Sequence, residues 1–259
     1  NLFNEDLKNN TDITINITDF GQFLLYVGAL DPRKNLYSLI KAYSLLPIYL
    51  LVNKKLVLVG PYSQSELILL HQWIDEFNLS SQNIIILTFI SDHDLANLYR
   101  NCHLFVFPSY HEGFGLPVLE AMNCGAPVIA SNTTSIPEIL SFKGALFDPY
   151  SVDQIKELII KSYKDIDFYN LLKQNSKERK NLFSWNLTST KVFKAFNKIL
   201  SLPELLLAKK KLQYSLKDKN DEHYNCLLSR LLKKNIFKTG SLTDDLYIRR
   251  VASSIDLIN

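Results

Sequence analysis

The chain has 259 residues, 47% of them hydrophobic and 21% charged, the composition of a globular protein long enough to bury a sizeable core. Its net charge of +3 is unevenly placed: residues 201–259 hold 11 of the 29 Lys and Arg but only 7 of the 26 Asp and Glu. Residues 1–200 thus lack the clustered positive charge that tracks a phosphate backbone, which excludes nucleic acid as an expected partner. The tail's surplus leaves peripheral association with an anionic membrane surface open. Cys102, Cys124 and Cys226 are too few and too scattered for a disulfide framework or a zinc site, and a reducing, cytoplasmic setting is the simple reading. Asn1–Asn10 is polar and acidic, unlike a signal peptide. The longest apolar stretch, Tyr43–Val52, contains Pro47 and falls well short of the roughly 20 residues a membrane helix needs.

Residues 1–21, rich in Asn, Thr, Asp and Ile, read as a linker or lead-in. Short apolar runs then alternate with longer amphipathic stretches. The runs are Phe23–Val27, Lys55–Val59, Ile84–Leu87, Leu104–Phe107, Val128–Ala130 and Ala145–Phe147. Their content of Val, Ile and Phe suits strands buried on both faces of a parallel sheet. Between them, Leu36–Leu46, Ser65–Phe77, Asp92–Tyr99 and Leu116–Asn123 have helical length and pattern, with Ser65 and either Asp92 or Ser91 as caps. This alternation predicts an α/β fold with a doubly wound parallel sheet, whose ligands sit at the carboxyl ends of the strands. After Pro149 the text turns helical, over Val152–Tyr163, Phe168–Lys180 and Leu187–Leu200. The Leu- and Lys-rich residues 201–259 read as a helical extension or the start of another domain, beyond a ligand-binding domain spanning 22–200.

With only eight glycines in the chain, those just past strands are informative. Gly28 follows the first strand but lacks the rest of a G-x-G-x-x-G fingerprint, which argues against a nicotinamide dehydrogenase. Glu112-Gly-Phe-Gly-Leu-Pro-Val-Leu-Glu120 is the most telling segment: Gly113 and Gly115 permit a turn, and Pro117 suits the first turn of the next helix. Free N–H groups near Leu116 and Val118 would then face a diphosphate at the sheet edge. Glu112 and Glu120 would repel phosphate, so sugar and ribose hydroxyls are their natural partners. Arg33 and Lys34, after the first strand, reach the same edge with a donor fork and a compact charge suited to a diphosphate. The remaining polar candidates are weaker. His71, His93 and His103 read as surface or satisfied core positions, His223 has no matching set, and His111, Ser109 and Tyr110 are edge-loop residues. Cys102 and Cys124 read as small buried hydrophobes. No spacing suggests a metal site.

These segments strongly resemble glycosyltransferase family 4, in particular the C-terminal domain of its GT-B architecture. The resemblance is carried by Tyr26-Val-Gly-Ala-Leu-Asp-Pro-Arg-Lys-Asn-Leu36, by Tyr99 through Glu112-Gly-Phe-Gly-Leu-Pro-Val-Leu-Glu120-Ala-Met, by Gly125-Ala-Pro-Val-Ile-Ala-Ser131, and by Ser135-Ile-Pro-Glu-Ile139 and Phe147-Asp-Pro149. It covers about residues 22–200. It implies that Arg33 and Lys34 hold the donor diphosphate, that Glu120 binds the ribose and that Glu112 lies by the donor sugar. Gly28 and the backbone of Phe114, Gly115, Leu116 and Pro117 would complete the cradle. Many members carry Arg directly after the first-loop glycine, where this chain has Ala29, so more of the phosphate contact falls to Arg33. The Pro-Arg-Lys-Asn text is similar to mannosyltransferase-like members of bacterial polysaccharide synthesis, which favours GDP-mannose as donor over a UDP-sugar.

The resemblance further implies transfer with retention of configuration and without a metal, the leaving diphosphate being stabilised by cations and N–H groups. A GT-B enzyme also needs an N-terminal domain to present its glycan or lipid-linked acceptor, and residues 1–21 are too short to form one. Because the chain opens on Asn1, an excised domain or a piece of a larger polypeptide is expected. A binding-only nucleotide-sugar module is the main rival reading.

Overall fold

The computed structural model describes residues 17–80 and 82–200. The six apolar runs pair as strands: β1 (Phe23–Val27), β2 (Lys55–Val59), β3 (Ile84–Leu87), β4 (Leu104–Phe107), β5 (Val128–Ser131) and β6 (Leu146–Phe147). They form one sheet in the order β3-β2-β1-β4-β5-β6, every pair parallel. The first four strands have the bounds the sequence predicts. The fifth gains Ser131, and the last loses Ala145 to a 3₁₀ turn, Lys143–Ala145. β1 and β4 are the central pair, so the chain reverses its direction of travel across the sheet between them, and their carboxyl ends open a crevice there.

The helices are α1 (Leu36–Ser44), α2 (Ile48–Asn53), α3 (Gln64–Glu76), α4 (Asp92–Asn101), α5 (Leu116–Asn123), α6 (Ile136–Leu140), α7 (Val152–Lys164), α8 (Ile166–Arg179) and α9 (Trp185–Leu200). α1 packs with α3 and α7, while α5 packs with α4, α6 and α8. Crossovers of the right hand that parallel strands almost always take, together with the reversal between β1 and β4, imply that these two groups cover opposite faces of the sheet. Phe23, Tyr26, Leu56, Phe105 and Phe107 are all fully buried between the layers. Two helices were not foreseen. α2 has six residues, of which only Leu50 is buried, and α6 has five, so neither is long enough to display a helical period.

Local hydrogen bonds fix the helix starts. Ser63, rather than the expected Ser65, caps α3: its Oγ accepts from Glu66 N at 3.4 Å, and Glu66 Oε2 accepts from Ser63 N at 2.7 Å. This reciprocal pair is a capping box, and its S-x-x-E text was present in the sequence. At α4 the cap is Ser91, whose Oγ accepts from Asp94 N at 3.0 Å, and not Asp92. At α8, Asp165 accepts from Phe168 N at 2.9 Å and starts the helix two residues before the expected Phe168.

By its internal contacts the chain divides after Ser184. Taken alone, α9 exposes Trp185, Phe193 and Phe196 and carries Lys191, Lys194 and Lys198. Of the expected lead-in over residues 1–21, residues 1–16 lie outside the described residues and Ile17–Phe20 form a 3₁₀ turn, while the expected extension over 201–259 lies wholly outside them. Ser63→Ala is expected to lower stability by about 1 kcal/mol, whereas Ser65→Ala stays within about 0.5 kcal/mol. Urea unfolding of the two variants, followed by circular dichroism, checks this, and the reverse order would show that Ser65 is the cap.

Candidate functional site

At the end of β1, Gly28 N donates to Val59 O at 2.9 Å and carries the ladder one residue past the strand. A Cβ on Gly28 would meet Tyr26 Oη at 2.7 Å, so packing within the fold already requires glycine there. The chain then enters a 3₁₀ turn, Pro32–Lys34, capped by Asp31, which accepts from Arg33 N at 2.8 Å. That turn separates the two adjacent cations. The Arg33 guanidinium bends back onto Asp31, with Nη2 2.6 Å from Oδ2 and Nε 3.1 Å from Oδ1, and its side chain stays 69% exposed. Arg33 in turn holds the Asp31 carboxyl down at about 2, chiefly through these side-chain hydrogen bonds. Lys34 goes inward: its Nζ lies 2.7 Å from Glu112 Oε1 and 5.6 Å from the centre of the Phe107 ring, with the two side chains only 23% and 12% exposed.

The next residue anchors the whole edge. Asn35 is buried with φ of 55°, a left-handed conformation that Asn tolerates better than most side chains. Its Nδ2 donates to Pro108 O at 3.0 Å and to Pro149 O at 2.7 Å. A single amide therefore joins the segments that follow β1, β4 and β6. Tyr110 N adds a bond to Arg33 O at 2.7 Å.

The loop after β4 rests on the loop after β5. Glu112 N donates to Thr134 Oγ1 at 3.1 Å, and Ser135 Oγ lies within hydrogen-bond distance of the carbonyls of Glu112 and Phe114, at 3.2 and 2.8 Å. Gly115 then turns into α5 with φ of 100°, and a Cβ there would meet Ile136 Cδ1 at 2.5 Å. Gly113 has open space around it, so of this pair only Gly115 is conformationally required. The expected free donor on Val118 is corrected, because Val118 N donates back to Gly115 O at 3.1 Å. Among the described residues, no acceptor pairs with the N–H groups of Phe114, Gly115 and Leu116. Pro117 has no N–H to offer and serves to set the first turn of α5.

Glu120, one turn into α5, is partly buried and accepts from Tyr99 Oη at 3.1 Å. Burial raises the pKa of its carboxyl group, the Asp92 charge adds to this, and the Tyr99 hydrogen bond opposes it. Thus Lys34, Glu112, Gly115 and the turn into α5 meet across the gap between β1 and β4, with Arg33 at the rim and Glu120 further down α5.

Of the weaker candidates, Ser109 is fully buried and its Oγ has no hydrogen-bond partner among the described residues, Tyr110 stacks on Tyr150 at 4.6 Å between ring centres, and His111 is exposed. His103 sits between Tyr163 and Tyr169, with ring centres 3.9 and 4.6 Å away, and burial lowers its pKa to about 4. Burial likewise pushes the thiols of Cys102 and Cys124 up, the latter to about 11. Sequence reasoning missed the supporting roles of Asn35, Tyr99, Thr134 and Ser135. Among the described residues, no three His, Cys, Asp or Glu side chains gather to hold a metal ion. Nor is any helix among them long and apolar enough to cross a membrane.

The parallel sheet of order β3-β2-β1-β4-β5-β6, with Lys34, Glu112 and the unpaired N–H groups at its central crevice, is an α/β domain of the kind that takes ligands at the carboxyl ends of its strands. A model of the glycosyl transferases group 1 family matches residues 11–179, well over half of the chain, and the chain belongs to that family. It is 40% identical over 179 residues to the serotype-specific mannosyltransferase WbdA of Escherichia coli, covering 69% of this chain and 22% of that protein. The O-antigen chain mannosyltransferase B of Escherichia coli is 37% identical over 174 residues, or 67% of this chain and 45% of that one. The structure of a sucrose-phosphate synthase from Thermosynechococcus elongatus superposes with a TM-score of 0.62 and 27% identity, over 70% of this chain and 46% of that one. The chain thus spans less than half the length of each of these proteins, and its α/β unit is a GT-B glycosyltransferase domain.

Asn35→Ala is expected to cost about 2–4 kcal/mol, since it strips two buried carbonyls of their donor and puts a Cβ-bearing residue without a local hydrogen bond at positive φ. Asn35→Gly keeps the backbone conformation and is expected to cost less. Chemical denaturation of both variants tests this, and a neutral Asn35→Ala would show that the three segments hold together without the amide.

Proposed function

We propose that residues 22–200 are the donor-binding domain of a retaining glycosyltransferase that moves a hexose from a nucleotide sugar, GDP-mannose in first place, to an acceptor hydroxyl. The observation that carries this reading is the Lys34–Glu112 pair at 2.7 Å in the central crevice, beside the unpaired N–H groups entering α5. In this reading Lys34 takes the diphosphate, and Phe114, Gly115 and Leu116 supply N–H groups to phosphate and sugar oxygens. Glu112 lies by the donor sugar, and Glu120 accepts the ribose hydroxyls. Charge building on the departing diphosphate meets fixed positive groups in a partly water-excluded site, which lowers the barrier. Arg33, tied to Asp31 at the rim, is the second diphosphate cation and has to leave or share that carboxylate to act. The mannose preference is supported by the identity to two proteins named as mannosyltransferases. A UDP-sugar is the alternative donor.

The acceptor, a glycan or lipid-linked glycan, is placed on a second domain, in keeping with the length of the relatives beyond the matched region. A cytoplasmic location belongs to the same proposal, with the basic residues 201–259 toward an anionic membrane surface. Binding of the nucleotide sugar without transfer is the reading to exclude, by assaying transfer in the presence of the acceptor-side domain.

Affinities for guanosine, GDP and GDP-mannose, with the uridine series alongside, test the assignment by titration calorimetry. Glu120→Gln is expected to weaken all three by about 10–150-fold, because each ligand carries the ribose. Lys34→Ala is expected to spare the nucleoside and weaken the diphosphate at least tenfold. Arg33→Ala is expected to follow the same pattern with a smaller loss, since its side chain is exposed and already neutralised by Asp31. A Lys34→Ala loss that is equal for nucleoside and diphosphate in a folded protein would overturn its role.

A further inference from the structure

We infer that Tyr99 is a positioning residue for Glu120: its buried hydroxyl fixes one carboxylate oxygen and leaves the other for the ligand. The inference rests on the reading of Glu120 as the ribose-binding carboxylate. Tyr99 belongs to α4, is fully buried, and meets Phe105 of β4 edge-on at 5.3 Å between ring centres. That contact holds the ring between helix and sheet, so the hydroxyl has a set direction when it donates to Glu120 Oε2 at 3.1 Å. Oε1 of Glu120 has no protein partner among the described residues. A carboxylate on one turn of a helix samples several rotamers, and a donor fixed by a neighbouring helix selects one of them before any ligand arrives.

The same bond acts on charge. Burial and the Asp92 carboxylate both favour a protonated Glu120, while the Tyr99 hydrogen bond favours the ionised form. Among the described residues Cys124, at the end of α5, also interacts with Glu120; burial pushes its thiol up to about 11, so it stays neutral near pH 7. The ionised carboxylate is the stronger acceptor for ribose hydroxyls, so binding is tightest above the Glu120 pKa and weakens as pH falls through it. Without the hydroxyl of Tyr99 that pKa rises further, and the loss moves to higher pH.

Tyr99→Phe keeps the ring against Phe105 and removes only the donor. In the full chain it is expected to weaken guanosine and uridine binding about tenfold at pH 7.5 and to shift the low-pH loss of binding upward. The corresponding 2′,3′-dideoxynucleosides, which lack the vicinal 2′- and 3′-hydroxyls, are expected to bind both proteins alike. Equal losses for the ribo- and dideoxy-nucleosides would mean that Tyr99 merely packs, and would overturn the inference. A ribose-specific loss in Glu120→Gln without one in Tyr99→Phe overturns the inference alone. An unaltered Glu120→Gln overturns the ribose assignment itself, and the role of Tyr99 with it. If Tyr99→Phe does not fold, Glu120→Asp keeps the charge but withdraws the carboxylate from the hydroxyl. It is expected to show the same ribose-specific loss, and its absence overturns the inference.

Discussion

The side-chain amide of Asn35 is the interaction on which the geometry of the crevice depends. Strand pairing brings β1 and β4 side by side, but it fixes only the strands. The segments that leave them have no ladder of their own and need another source of order. Asn35 supplies it by donating from one nitrogen to Pro108 O and Pro149 O. Both acceptors belong to prolines, which cannot donate to a neighbouring segment, so their carbonyls are the natural anchors. The left-handed backbone at Asn35 is the cost of aiming that amide inward, and it leads directly into α1.

With the loops fixed, the turn over Pro32–Lys34 sorts two neighbouring cations into different environments. Arg33 is exposed and satisfied by Asp31, an arrangement worth little in water and open to exchange. Lys34 is mostly shielded and paired with Glu112, over the face of Phe107. A partly desolvated pair of this kind is sensitive to loss of either member, because the remaining charge has no partner. It also keeps the cation in place past the end of β1.

The support behind these groups comes from the loop after β5, through Thr134 and Ser135, and from Ile136 against Gly115. The segment carrying Glu112 is thus braced by polar contacts on one side and by an apolar contact at the glycine. Fixed N–H groups and charges of this kind act on a ligand without first having to reorganise, which is the property a transfer site needs.

The sequence by itself determined the class of fold and the identity of the charged residues. Buried parallel strands are short continuous runs of Val, Ile, Leu and Phe, and such runs announce themselves without any knowledge of their partners. The Glu112–Glu120 segment and the Arg33-Lys34 pair stood out in the sequence because of their residue types and their positions just past strands. Short-range details were partly legible: the capping box of Ser63 and Glu66 was written in the text, whereas α2 and α6 are too short to show a period. What only the tertiary structure decided is which cation turns inward, which carboxylate it meets 78 residues away, and which side chains hold the loops and Glu120 in place. Lys34 and Glu112, Asn35 and Pro149, and Tyr99 and Glu120 are each joined across elements. A hydrogen bond between distant residues leaves no periodic trace in a single chain. Its partners are set by strand order, by φ at one residue and by a few tenths of a nanometre of packing, and those are fixed only once the sheet has formed.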